Sequence, residues 1–173
     1  MTPPAALQAM ATDQWERREA LEQLVAAQQR RLFLIALSIV RDPSEAEDAV
    51  QESFLLAWRK WDAVRDEAKR QQWLTTICVR HCLRRRRSLL RWRLADPDTT
   101  TAAAEHARFQ GRLVDLDRAQ AKLSRQQRAA LVLSYQYGYS ADQCAELMGL
   151  APGTVRSHLA RALATLRREM SDD

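Results

Sequence analysis

The sequence is poor in both backbone punctuators, with 4 Gly and 5 Pro in 173 residues. A collagen-like chain or a long low-complexity tract needs far more of each. Alternating apolar and polar runs of strand length are missing, and the β-branched residues are scattered, which argues against a sheet. No apolar run reaches bilayer length. The longest cluster, Leu32 to Val40, contains Ser38 and follows Arg30 and Arg31. Residues Met1 to Thr12 carry no basic n-region, so a secretory signal is not expected. Three Cys do not make a disulfide framework in a chain this long. The expectation is a reduced, cytoplasmic protein without membrane insertion. Lysine is scarce as well: of 27 basic residues, only Lys60, Lys69 and Lys122 are not Arg. Against 22 acidic residues the formal net charge is +5. That total alone supports a nucleic-acid partner only weakly, and the placement of the charge matters more.

What is present is helical periodicity. Leu21, Leu24, Val25, Leu32, Ile35, Ala36 and Ile39 follow a 3.6-residue spacing from about Gln14 to Val40. Asp42-Pro43 stops that stretch and opens another, where Ser44 and Glu47 resemble a capping box. The second helix runs to about Trp61, with Ala46, Val50, Phe54, Ala57 and Trp61 on one side. A third runs from about Arg70 to Trp92, its stripe of Leu74, Ile77, Cys78 and His81 facing the core. Asp96-Pro97-Asp98 and the threonines after it read as a linker. Beyond it come a helix from about Arg112 to Lys122 and two helices opened by the boxes Ser124/Gln127 and Ser140/Gln143. A last helix runs from Pro152 to about Met170. The expected fold class is all-α: two small helical domains joined by a flexible linker. Residues 1–12 are expected to be a disordered tail, 13–93 the first domain, 94–111 the linker and 112–173 the second domain.

Three surfaces carry possible chemistry. Ser140 to Leu163 reads as a helix, a turn at Gly149 and a second helix, which is helix-turn-helix grammar. Thr154, Arg156, Ser157, His158 and Arg161 face outward on the second helix, and no acid occurs between Glu146 and Glu169. That suits insertion into a major groove, although a plain helical hairpin with a basic face has the same pattern. The third helix carries Trp73, Thr76, Arg80, Arg84 and Arg87 as a second stripe, pairing a π-face for an unstacked base with guanidinium groups for phosphates. A solvated basic face is the alternative. The second helix is acidic at its start. Asp48, Glu52, Leu55 and Arg59 share a face that could dock a basic protein, or merely place acids near a helix N-terminus.

Cys78, His81 and Cys82 lie within about one turn, but no fourth ligand has suitable spacing for a closed metal site. No phosphate-cradling glycine loop and no catalytic set is recognisable. Neither a cofactor, a metal nor enzyme activity is expected.

The residues resemble a known family. The stretch from Asp42 to Trp58, with its core Ala46-Glu47-Asp48, Val50-Gln51-Glu52 and Phe54, is similar to region 2 of the bacterial extracytoplasmic-function (ECF) sigma factors. Leu123 to Arg128 followed by Gly149 to Leu163 is similar to their region 4. Trp73-Leu74 followed by Ile77 resembles the promoter-melting segment. The resemblance covers roughly Leu21 to Arg168.

It implies a sigma factor that binds core RNA polymerase and directs initiation from minus-ten and minus-thirty-five elements. Asp48, Gln51, Glu52 and Leu55 would meet the clamp helices of the largest subunit. The surface near Leu131 and Leu133 would meet the flap of the second-largest. The connection Val64 to Lys69, with Arg65 and Lys69, would capture a flipped base. Trp73, Thr76, Arg80, Arg84 and Arg87 would hold the opening minus-ten element. Thr154, Arg156, Ser157, His158 and Arg161 would read the minus-thirty-five duplex. An anti-sigma factor is an implied partner. The competing expectation is a stand-alone helix-turn-helix regulator, which needs neither the acidic face nor the Trp/Arg stripe.

Overall fold

The computed structural model describes residues 5–61, 66–84 and 116–171, with side chains from Trp15 onward except at 67 and 68. Arg65, Arg87 and the linker expected at 94–111 lie outside the described residues. The described elements are helices: α1 (Ala5–Val40), α2 (Pro43–Arg59) and α3 (Glu67–Arg84), then a short helix α4 at 116–121, α5 (Arg125–Leu131), α6 (Ala141–Met148) and α7 (Pro152–Ser171). No strand occurs among the described residues.

Helix α1 begins at Ala5, inside the segment expected to be a loose tail. Ala5, Ala6, Leu7, Gln8, Ala9, Met10 and Ala11 are strong helix formers, and they extend a helix whose downstream turns are already fixed by packing. Arg41 stops it in a left-handed conformation at φ 62°, its amide bonded to the Leu37 carbonyl. The next cap is Asp42, not Ser44: its carboxylate accepts from the Glu45 amide. Pro43 explains the choice. The residue before a proline is driven to extended backbone, which is the N-cap geometry, and the proline itself fits N1. Ser44 is thereby moved inside the first turn. Both boxes in the second half form as expected, Ser124 with Gln127 and Ser140 with Gln143, each reciprocal. Helix α5 widens into one π-turn at Val132–Gln136 before the chain turns at Gly138.

The two helical modules are not separate bodies. One continuous core joins Leu32, Ile35 and Ile39 of α1, Ala46 and Ala57 of α2, Leu74 and Cys78 of α3, Ala129 of α5, Leu133, Leu147 of α6 and Val155 of α7. Full burial of each large aliphatic here is worth about 1.5–3 kcal/mol. The buried stripe of α3 is Leu74, Thr75, Cys78, Val79 and Cys82, while Ile77 and His81 are half-buried. The rotation from the expected stripe has a cause: α3 packs on α1 and α2 on one side and against α6 on another. Buried Thr75 is satisfied by donating to the Gln71 carbonyl and accepting from Arg31.

Candidate nucleic-acid interface

The α6–α7 pair has the local geometry of a helix-turn-helix. Ser140 caps α6 at its start. Gly149 ends it at φ 69°, a left-handed C-cap in which a side chain is strained. Cys144, Ala145, Leu147, Met148 and Val155 are buried where α6 and α7 meet the core. On the outer side of α7, Thr154, Arg156, Ser157 and Arg161 are exposed. The Ser157 hydroxyl donates to the Gly153 carbonyl at 3.0 Å, which leaves its oxygen free to accept. His158 departs from the expected presentation: it is half-buried, and its Nδ1 is buried without a partner. It sits between the outward arc and buried Val155 and Ala162, so only part of the ring reaches the surface.

The Trp/Arg stripe of α3 is divided. Lys69 is exposed and pairs loosely with Asp66 at 3.6 Å. Arg84 is exposed. Trp73 is half-buried against the core, and the Thr76 hydroxyl donates to the Gln72 carbonyl at 2.8 Å. Arg80 is half-buried and reaches toward α6. Its Nη2 donates to the Glu146 carbonyl at 2.8 Å and its Nε to the Leu147 carbonyl at 3.4 Å. It thereby caps the C-terminal carbonyls of the first helix of the helix-turn-helix, where a cation is favoured by about 0.3–1 kcal/mol. It also lies 3.3 Å from where a Cβ on Gly149 would stand.

The acidic face of α2 forms as expected. Asp48, Gln51, Glu52 and Arg59 are exposed, and Leu55 is 48% exposed. A residue not singled out for this surface joins it. Trp58 is 39% exposed, with the Arg17 guanidinium 5.6 Å above its ring. The spacing Gln51, Leu55, Trp58 is i, i+4, i+7, which puts the three in one row. The apolar patch expected near Leu131 and Leu133 is not open. Leu133 is fully buried in the shared core and Leu131 is half-buried, because α5 turns its Ala129, Ala130 and Leu133 side toward α1.

The three thiols are buried. The hydrogen bond that the Cys82 thiol donates to Cys78, then burial, pushes the Cys82 thiol far above its ordinary value. Burial pushes Cys144 up as well. Neither is a nucleophile at neutral pH. No group of three metal-ligating side chains gathers among the described residues. No described helix is long and apolar enough to cross a membrane.

Residues 24–93 match the model of sigma-70 region 2, and residues 113–166 that of sigma-70 region 4. The chain is 34% identical to the ECF RNA polymerase sigma factor SigM of Mycobacterium tuberculosis over 151 residues, 87% of this chain and 77% of SigM. Among solved structures, CnrH in complex with the cytosolic domain of CnrY is 26% identical. It has a TM-score of 0.58 and covers 90% of each chain. The sigma factor RpoE of Bartonella quintana, solved with the anti-sigma factor NepR, has a TM-score of 0.61 at 23% identity, over 90% of this chain and 99% of that one. With both sigma regions in order and a relative of this identity over most of its length, the chain belongs to the ECF sigma factors and directs promoter-specific transcription initiation.

Proposed function

We propose that the outer face of α7 reads the minus-thirty-five duplex through Thr154, Arg156, Ser157 and Arg161, with His158 at the edge of the contact. The observation that carries this reading is the split of α7: these side chains are exposed while Val155 and Ala162 are fully buried. A helix anchored that way can enter a major groove without losing its packing. Trp73, Thr76, Arg80 and Arg84 form the minus-ten surface, extended by Arg65, Lys69 and Arg87 along the same path. Trapping an unstacked base there offsets an unpairing cost of a few kcal/mol. The row Asp48, Gln51, Glu52, Leu55 and Trp58 docks on the clamp helices of the largest polymerase subunit. The flap of the second-largest subunit takes the side of α5 around Leu131 and Leu133 once that side is uncovered.

In this reading residues 13–93 and 112–173 are the two working domains and 94–111 joins them. The protein acts in the cytoplasm, beside the polymerase, and performs no bond chemistry of its own, because polymerase does. An anti-sigma factor is the partner expected from the family resemblance. The test is transcription with purified core polymerase. Promoter-dependent transcripts only when this chain is added support the reading. Tight, specific duplex binding without polymerase, and no transcripts with it, would replace it with a stand-alone regulator.

A further inference from the structure

We propose that Arg70, stacked on the ring of Trp61, grips a phosphate of the single strand opened at the minus-ten element, beside Trp73. The proposal rests on the minus-ten reading of α3 above. It adds two residues that the stripe of Trp73, Thr76, Arg80 and Arg84 does not contain. Trp61 lies just past Lys60, the C-cap of α2, and is only 7% exposed. Arg70 is half-buried in the first turn of α3, where its amide donates to the Asp66 carbonyl at 3.1 Å. Its Cζ sits over the Trp61 ring, 4.4 Å from the centroid. Arg17 over Trp58 and Arg31 over Tyr137 are looser, at 5.6 Å. The Arg70 pair is therefore a guanidinium in stacking contact, carried by two helices that the core already fixes.

The chemistry of the pair fits a phosphate. A flat cation pressed on an aromatic is held in one plane, and its N–H donors radiate from the edge of that plane. A phosphate can take two such donors at once, which an ammonium cannot offer in fixed geometry. Stacking has already removed part of the side chain's freedom, so less is lost when the phosphate binds. Burial of Trp61 gives the arginine a base that does not move with the strand. The neighbours fit a strand as well. Lys69, adjacent in sequence, is exposed and adds a second positive charge. Trp73 follows Arg70 by three residues, so the two share a side of α3 and stand about 4.5 Å apart along its axis. A base stacked on Trp73 thus brings its phosphate toward Arg70. A plain clip between α2 and α3 would use the same stack. The two roles differ in one respect: only a grip ties the contribution of Arg70 to a single phosphate.

The experiment uses holoenzyme assembled from the full chain and saturating core polymerase. The probe is the non-template minus-ten strand of a promoter from which that holoenzyme initiates. Each phosphate in turn is replaced by an uncharged methylphosphonate, and binding is read by fluorescence anisotropy. The wild type is expected to lose about tenfold in affinity at one position, the size of one charge-assisted contact. Arg70→Ala is expected to bind the unmodified strand about tenfold more weakly and to lose nothing further at that position. Its log–log salt dependence should be shallower by about 0.7, one phosphate contact on a single strand. Arg70→Lys keeps the charge without the fork or the stack and should recover only part of the affinity. Trp61→Phe, with a smaller ring, should show a weaker effect at the same position. Circular dichroism checks that each form is folded, and the two Arg70 variants leave the buried ring in place. Unchanged affinity of Arg70→Ala, or a loss that adds equally to every methylphosphonate, would overturn the proposal and leave Arg70 a clip between α2 and α3. A wild-type holoenzyme with no affinity for any version of the strand would remove the minus-ten reading itself, and the grip with it.

Discussion

Single side chains in this protein are read through what already occupies them. Arg156 and Arg161 are exposed on α7, whereas Arg80 is engaged by the carbonyls of α6. Replacing either with Ala is expected to weaken minus-thirty-five duplex binding by about 1–3 kcal/mol if it pairs with a base, with relaxed preference at that position. Fluorescence anisotropy on matched and mismatched duplexes checks this, and equal losses on both sequences would assign the residue to phosphate instead. The buried thiol gives a pH prediction. Cys144 is fully buried, and burial raises its pKa from the ordinary 9.0. Above that pH the unfolded thiol ionises first, so the unfolded state sheds the proton and gains. The stability due to this group is complete below about pH 9 and is lost as pH climbs toward the raised folded value. Tyr137, raised chiefly by burial, adds to the same alkaline loss above its ordinary 10.0. Melting temperature should therefore fall between pH 8 and pH 10.5, and Cys144→Val should flatten the drop.

At the scale of the element, turns and caps decide more than the helix interiors. Gly149 ends α6 in a left-handed cap shortly before α7 begins, with φ 69° and Arg80 at 3.3 Å from the missing Cβ. Gly149→Ala is expected to cost about 1 kcal/mol from the left-handed strain alone, read as a lower unfolding midpoint in urea. Removing Arg80 as well, in the double variant with Arg80→Ala, should recover only the part due to crowding. Helix α2 is tested as a face. Reversing Asp48 and Glu52 to Lys is expected to weaken core polymerase binding in a pull-down while the circular dichroism stays unchanged, because both side chains are exposed and the buried side of α2 is untouched. Leu55→Ala and Trp58→Ala should weaken it further if the apolar row is part of the contact.

At the scale of the molecule, one core joins the two helical modules among the described residues. Cooperative units share buried apolar surface, and here Ile35, Ile39, Leu74, Leu133 and Leu147 belong to one cluster. One calorimetric transition is expected at low salt. Raising salt weakens exposed ion pairs first, such as Arg41 with Asp117 at 2.9 Å, and then the half-buried Arg125–Glu45 fork. The single transition is expected to split into two as the modules uncouple. A transition that stays single at high salt would mean that apolar burial, not the Arg41–Asp117 and Arg125–Glu45 pairs, holds the modules together.

Much of the molecule is legible in the residue order because its rules are local. The 3.6-residue spacing gives the helices, and Ser124 with Gln127 and Ser140 with Gln143 give caps that form without reference to the rest of the fold. The exposed face of α7 and the acidic face of α2 follow from the same spacing, and the region 2 and region 4 stretches are legible through their resemblance to the family. Even the misplaced cap at Ser44 is a local matter, decided by what Pro43 does to Asp42. The rest is set by contacts between residues far apart in sequence. Arg80 meets Glu146 and Leu147 across more than sixty positions, and Arg125 meets Glu45 across eighty. No periodicity contains such a pairing, because an arginine on a helix has the same spacing whether it faces phosphate, water or another helix. The tertiary structure alone decided that Arg80 is occupied, that Leu133 is covered and that the two modules close on one core. Those outcomes depend on which surfaces exclude water together, a property of the assembled chain and not of any segment of it.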